Sequence, residues 1–224
     1  MFGRTSREEA RDSAVVVFGL GRFGMSLARE LEACGAEVLG VDRSQEVVDR
    51  ASSQLTHVVR ADSTNEETLR QLGVPDFGRA VVAIGEDLAQ SILTASVLKK
   101  IGGIDIWAQA TSPEQGRILE QMGIEHVFYP SADMGRRAAH VVLQSVHDYL
   151  ELGYGFALIA APAPQRAVGR TLGETNLRRK EGITIVAVRS GDDEWDPAHA
   201  ETFIHDGDTV LIIGPTEIIS RLRS

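Results

Sequence analysis

From residue 14 onward, short apolar runs alternate with amphipathic stretches. Ala14 to Phe18 is a valine-rich run of strand length, and Met25 to Ala33 places Leu27 and Leu31 one helical turn apart. Glu37 to Val41 predicts a second strand ending at Asp42, Ser44 to Ser52 a helix, and His57 to Arg60 a brief strand. Thr64 with Glu67 has capping-box spacing and is expected to open the next helix. Arg79 to Ile84 and Ile104 to Ala108 predict strands, with a helix over Asp87 to Lys100 between them. Ser112-Pro113-Glu114-Gln115 combines a cap, a first-turn proline and a box partner, and Glu125 to Phe128 closes the series. Strand–helix alternation of this kind builds a parallel sheet covered on both faces through right-handed crossovers.

Ala132 to Leu150 predicts one longer helix, with Met134, Ala138, Val141, Val142, Val146, Tyr149 and Leu150 recurring every three or four residues. Ala139 and Leu143 widen that stripe beyond the need of a one-sided surface helix, which fits either deep burial or packing on a second subunit. After Gly153 the character changes. Phe156 to Ala161, Thr184 to Val188 and Thr209 to Ile213 predict short strands, and Thr171 with Glu174 caps a helix that Gly182 ends. The Asp206-Gly207-Asp208 turn leads into the last strand, and a short helix is expected after Pro215. This is a second, smaller α+β lobe, whose acidic run Asp192, Asp193, Glu194 and Asp196 is read as a solvated loop.

Composition narrows the function classes. With 32 acidic and 23 basic residues the formal charge is −9, which disfavours a phosphate-backbone footprint, so nucleic acid is not an expected partner. No apolar run reaches the roughly 18–20 residues of a membrane-spanning helix. Residues 1–13 are a charge-balanced tail without the apolar core of a signal peptide, and Cys34, the lone cysteine, excludes an internal disulfide. A cytoplasmic protein is expected. Glycine is enriched, at 22 of 224 residues against an average of about 7%.

Part of that glycine lies in Gly19-Leu20-Gly21-Arg22-Phe23-Gly24, a G-x-G-x-x-G string. A strand precedes it, a helix follows it, and Asp42 ends the next strand 21 positions beyond Gly21. Gly19 permits the tight turn, Gly21 lets backbone N–H groups reach a diphosphate, and Gly24 allows close helix–strand packing. The helix N-terminus favours phosphate, and the Asp42 carboxylate is placed to accept from ribose hydroxyls. Asp42 disfavours a 2′-phosphate while the adjacent Arg43 leaves NADP open; Arg22 can reach phosphate oxygens and leans toward ATP. The six histidines, His57, His126, His140, His147, His199 and His205, are scattered, and no G-x-S-x-G, Walker or H-E-x-x-H motif is present. No residue is nominated as catalytic and none as a metal ligand.

Val16 through Gly24, with Val41-Asp42, Ala61-Asp62-Ser63-Thr64 and Val82-Ala83-Ile84-Gly85, resembles the RCK (KTN) domains. These are TrkA-N plus TrkA-C regulatory subunits of potassium channels and transporters, of the KtrA/TrkA type. Tyr129-Pro130 through Asp133-Met134-Gly135 resembles the family's step into its crossover helix; Asn176-Leu177-Arg178 and Gly207-Asp208 through Gly214 resemble its C-terminal lobe. The resemblance implies a Rossmann-like doubly wound N-lobe over residues 14–131, a crossover and dimerisation helix over 132–152, and a smaller α+β C-lobe over 153–224. It also implies a dimer, an octameric ring, and a membrane-embedded potassium channel or transporter subunit gated by nucleotide, with the chain at the inner face of the membrane through that partner. By motif, Gly19, Gly21, Arg22, Phe23 and Gly24 would hold phosphates, Asp42 the ribose, with Arg43 beside it among the cofactor-binding residues, and Asp62 and Ser63 would flank adenine. Ala83, Ile84, Gly85 and Glu86 would line the next loop.

The nucleotide implied is ATP or ADP, with NAD or NADH as the alternative. Cyclic di-AMP is a possible second ligand at Asn176, Leu177, Arg178, Ile183, Ile185 and Pro197. Two positions depart from the family pattern: Ser131 stands where some members carry a cation-binding glutamate, and Gln109 where many carry Lys or Arg. A hard cation is poorly served by a lone serine. The competing functions are an NAD-dependent oxidoreductase, and a sensor subunit whose client is a cation/proton antiporter.

Overall fold

The computed structural model describes residues 13–143 and 146–222. The N-terminal tail expected over residues 1–13 therefore lies, Ser13 apart, outside the described residues, as do Gln144 and Ser145. The chain divides into two compact units at Ser131/Ala132.

The first unit runs β1 (Ala14–Phe18), α1 (Arg22–Ala33), β2 (Glu37–Asp42), α2 (Gln45–Ala51), β3 (His57–Arg60), α3 (Glu66–Gln71), a 3-10 turn (Val74–Asp76), β4 (Arg79–Val82), α4 (Leu88–Ile101), β5 (Asp105–Gln109), α5 (Pro113–Gln121) and β6 (His126–Phe128). Its six strands are all parallel, in the order β3-β2-β1-β4-β5-β6. β1 is buried along its whole length, and its alternate side chains feed two cores. Val16 and Phe18 join the cluster under α4 and α5, while Val15 and Val17 join the one under α1 and α2. This is the doubly wound arrangement expected from the alternation, because a strand covered by helices on both faces needs apolar residues on both.

Most helix starts agree with the sequence reading. Ser44, Asp87 and Ser112 each accept from the backbone amide three residues on. The start of α3 differs. Asn65 is its cap, accepting from the Thr68 amide at 3.1 Å, whereas the Thr64 hydroxyl turns back to donate to Asp62 at 2.7 Å. Two adjacent cap-forming residues compete here, and the Asp62–Thr64 turn takes the first of them.

The second unit begins within α6 (Pro130–Leu143) and continues through β7 (Asp148–Gly153), β8 (Phe156–Pro162), α7 (Leu172–Thr175), α8 (Leu177–Glu181), β9 (Thr184–Arg189), β10 (Asp196–Pro197), β11 (Thr209–Pro215) and α9 (Thr216–Ile219). Its antiparallel sheet has the order β10-β9-β11-β8-β7. The long helix expected to reach Leu150 therefore stops earlier, and Asp148 to Gly153 pairs with β8, Tyr149 opposite Ile159. Val146 and Tyr149 belong to the core of this sheet and not to a helical stripe. The helix expected from Thr171 to Gly182 is likewise two short pieces. Its capping box is present, with Glu174 accepting from the Thr171 amide and hydroxyl, but Asn176 adopts φ 53 and breaks the run. Asparagine is one of the few residues that visit this left-handed region readily.

α6 is tied to the sheet of its unit by a bidentate pair, Arg137 to Asp148 at 2.8 and 2.6 Å, and by His140 stacked on Tyr149. None of its residues is buried; Met134 and Val142 are 58% and 82% exposed. Of the two readings of its stripe, deep burial is not what the chain shows. The Arg137 hydrogen bond holds the Asp148 carboxyl below its ordinary value of 3.8, against a smaller opposing effect of burial. Because the folded pKa is the lower one, the pair contributes stability above the unfolded value and loses it as pH falls through the folded value. Both side chains are about half exposed, so the contribution stays under about 1 kcal/mol. A carbon-detected NMR titration should place the Asp148 midpoint below 3.8, and Arg137→Gln should return it to the ordinary range. An unchanged midpoint in the variant would remove Arg137 as the cause.

Candidate functional site

In a sheet of this strand order the connections diverge between β1 and β4, and a crevice opens beyond their carboxyl ends. There the glycine loop after β1 faces the loop after β4, around a cavity of about 690 Å³.

The loop's three glycines do different work. Gly19 has φ +90, and a Cβ there would lie 2.9 Å from the Ile84 side chain and 3.0 Å from the Ala83 carbonyl oxygen. Gly24 is buried behind the loop, where a Cβ would come within 1.9 Å of the Gly19 carbonyl oxygen. Gly21 is the reverse case: nothing lies within 4 Å of its Cβ position, and it borders the cavity. It is also the N-cap of α1, which has no side-chain cap and no acidic residue in its first turn. Unpaired amides at a helix start, an open approach and no competing carboxylate fit a diphosphate.

Asp42 is fixed from two sides. Its Oδ2 accepts from the Leu20 amide at 2.8 Å and its Oδ1 from the Ser44 amide at 2.9 Å. The carboxylate therefore clamps the glycine loop to the start of α2 while it borders the cavity, and each oxygen keeps a lone pair for a ribose hydroxyl. Arg22, Phe23, Arg43, Ala83, Ile84, Gly85 and Glu86 also line the cavity. Arg43 is paired with Asp87 at 3.2 Å, and Asp87 caps α4 by accepting from the Gln90 amide.

Asp62 and Ser63 are not placed alike. Ser63 is 3% exposed and its hydroxyl is bonded to that of Thr94 at 2.7 Å, so it fastens α4 and leaves only its edge to the cavity. Asp62 lines an adjoining cavity with Arg43, Arg60 and Thr64, its carboxyl held below the usual range first of all by the Thr64 hydroxyl. Gly24 does not reach the cavity. The expectation that Gly24 touches phosphate gives way to its packing role, because its missing Cβ is already occupied by the loop's own carbonyl.

Three further lining residues, Val47, Arg50 and Gln90, were not singled out from the sequence. Arg50 had a signal: it is a basic residue in the last turn of the helix that starts immediately after the ribose-type aspartate. Pro130 and Ser131 also border this cavity. In the second unit, Asn176, Leu177, Arg178, Ile183 and Ile185 line one cavity of about 400 Å³ with His199. Pro197 does not join them; it is exposed on β10, paired with Ala187, and its neighbour Ala198 lines the cavity in its place.

The TrkA-N domain profile matches residues 15–130 and the TrkA-C profile residues 156–224. Ktr system potassium uptake protein C of Bacillus subtilis (strain 168) is 37% identical over 208 residues, covering 92% of this chain and 94% of that protein. The chain belongs to the Ktr/TrkA family. Another Ktr/TrkA member, Ktr system potassium uptake protein A of Vibrio alginolyticus, is 31% identical over 215 residues, 95% of this chain and 98% of that one. Among solved structures, the GsuK channel bound to NAD superposes with a TM-score of 0.68 at 16% identity, over 95% of this chain and 40% of that one. The TrkA-N domain of the inner membrane protein ybaL from Escherichia coli gives 0.52 at 19% identity, over 59% of this chain and 98% of that one. At these identities the structures show the fold alone: the ybaL match covers 59% of the chain, and the GsuK match, at 95%, also takes in the antiparallel lobe that follows the parallel sheet.

Proposed function

We propose that this chain is the cytoplasmic, nucleotide-sensing gating subunit of a potassium uptake channel or transporter. The observation that carries the reading is the open approach to α1 at Gly21, beside a clamped Asp42, in a chain related to Ktr potassium uptake proteins over nearly its whole length. An adenine nucleotide fits this cavity. When bound, it would lay its phosphates on the α1 amides and Arg22, with its ribose hydroxyls on Asp42. The side chains around the cavity supply charge and hydrogen bonds but include no histidine, lysine, tyrosine or cysteine. The site is thus suited to holding a nucleotide, and the chain acts by changing shape.

Shape change needs a neighbour to act upon. The exposed face of α6, with Met134, Ala138 and Val142 one turn apart, is a surface that a second copy would cover, and dimers joined there build the ring. Nucleotide shifts the ring only through different affinities for two shapes, and the membrane partner feels the difference. Cyclic di-AMP in the cavity around Asn176 and Arg178 is the corresponding second input. Light scattering and thermal unfolding of the purified chain, with ATP, ADP, NAD, NADH or cyclic di-AMP, test the reading. An even-numbered oligomer is expected, stabilised by about 2.7 kcal/mol when a nucleotide is present at about 100 times its dissociation constant. A monomer under every condition would overturn it.

A further inference from the structure

Arg43 directly follows the ribose-type aspartate, a place from which an arginine can take a 2′-phosphate. In this chain that arginine is engaged elsewhere. Its Nη1 lies 3.2 Å from Oδ2 of Asp87, at the start of α4, and both residues line the glycine-loop cavity. Asp87 is not free to follow a ligand, because its Oδ1 accepts from the Gln90 amide at 2.9 Å as the N-cap of α4. That bond, before any other influence, holds its carboxyl below the usual range, so the group is charged at neutral pH. Asp42 is fixed as firmly. With the Leu20 amide on one oxygen and the Ser44 amide on the other, its carboxylate cannot turn away from what is bound beside it.

A ribose with free hydroxyls suits this arrangement, since a hydroxyl donates to a carboxylate. A 2′-phosphate does not. It carries a charge of about −1.5 to −2 at neutral pH and would meet the fixed Asp42 carboxylate, while the guanidinium next in the chain is neutralised by Asp87. Two other arginines remain for it to find. Arg60 donates from Nε to the Arg43 carbonyl at 3.2 Å and lines the adjoining cavity, but it shares that cavity with Asp62 and Asp87. Arg50 lines the glycine-loop cavity from the last turn of α2, six residues beyond the Ser44 cap that Asp42 holds, or about 9 Å along the helix axis.

We infer that Asp87 is a specificity-determining residue of this site: by holding Arg43 it leaves the Asp42 carboxylate unopposed, and so restricts the cavity to adenine nucleotides whose ribose hydroxyls are free, excluding 2′-phosphorylated ones. The inference rests on the nucleotide-binding reading above. Calorimetric titration of the full chain tests it with NADH against NADPH, and AMP against adenosine 2′,5′-bisphosphate. The members of each pair differ only in the 2′-phosphate, so whatever lies beyond the first phosphate drops out. Wild type should prefer the free hydroxyl by at least about thirtyfold, the order expected of like charges held together. Asp87→Asn keeps a capping side chain and loses the charge. The preference should then fall by about fivefold, through tighter binding of the phosphorylated member; this equals about 1 kcal/mol, the upper end for a partly exposed ion pair. Arg43→Leu added to Asp87→Asn should restore the wild-type preference, since the gain comes from the released guanidinium. Should Asp87→Asn not fold, Asp87→Ser, which also caps, takes its place.

Three results would overturn the assignment while leaving nucleotide binding intact. Equal affinity of wild type for both members of a pair would mean that Arg50 or Arg60 takes the 2′-phosphate. An unchanged preference in Asp87→Asn would mean that the released Arg43 does not reach it. A gain that survives Arg43→Leu would mean that Asp87 repels the phosphate itself and does not act through Arg43. If wild type binds neither NADH nor AMP, the half common to NAD, ADP and ATP, the nucleotide reading falls, and this one with it.

Discussion

Gly24→Ala should strongly destabilise the first unit. The added Cβ would lie 1.9 Å from the Gly19 carbonyl oxygen, 3.0 Å from its carbonyl carbon and 3.1 Å from the Ala83 Cβ. The first two are backbone atoms, so no rotamer change relieves the contact. Gly19 is pinned as well, because its amide donates to the Val41 carbonyl at 2.8 Å and its φ of +90 has no room for readjustment against Ile84. The remaining escape is for α1 to lift off the sheet, opening the core formed by Ala28, Val15 and Val17. Overpacking costs about 1–3 kcal/mol where side chains can yield. With backbone on both sides the loss should exceed about 4 kcal/mol, a large part of a typical 5–15 kcal/mol stability. Urea unfolding followed by circular dichroism measures it; a midpoint close to wild type would show that α1 moves freely and that the glycine is not a packing requirement.

The first unit was legible because its signals are redundant. β1 is apolar at every position, as a doubly covered strand must be, and Ser112-Pro113 marks the start of α5 by cap and proline together. The misreadings fall where one signal stood alone. Thr64 and Asn65 are both competent caps, and the sequence does not say that Asp62 engages the first. Val146, Tyr149 and Leu150 continue a three-to-four spacing from α6, yet Tyr149 faces the core in a strand with exposed Leu150 beside it. Over six residues a period of 2 and a period of 3.6 share too many positions to be separated.

The site was legible in its backbone and less so in its side chains. Strand, glycine loop, helix and aspartate are local features, and the topology that brings Ala83 to Glu86 opposite them follows from a parallel sheet. The Ser63–Thr94 bond joins residues 31 apart, and the Leu20 amide that occupies Asp42 lies 22 residues away. Such partners are tertiary facts. They decide that Ser63 is an internal fastener, and that Asp42→Ala would loosen the loop as well as remove a ribose acceptor, which makes it an ambiguous probe of binding.

Gly21→Ala is the unambiguous probe, and it should leave the fold intact while removing nucleotide stabilisation. Gly21 has φ −67 and ψ −170, extended backbone open to any residue, and nothing in the chain lies within 4 Å of the new methyl group. Alanine is a poorer N-cap than glycine, but it also restricts the unfolded chain, so the two effects offset to within about 1 kcal/mol. The methyl group would instead stand in the approach to the α1 amides, where a diphosphate must come closest. At a concentration of about 100 times the wild-type dissociation constant, the ligand raises wild-type stability by about 2.7 kcal/mol, and almost none of that should survive in the variant. Thermal unfolding with and without NADH or ADP reads both halves of the prediction in one experiment. A variant that melts like wild type without ligand and still gains the full shift would mean that the phosphates do not sit on the glycine loop. Loss of the shift with an unchanged apo transition would separate binding from folding within a single motif, Gly24 serving the fold and Gly21 the ligand.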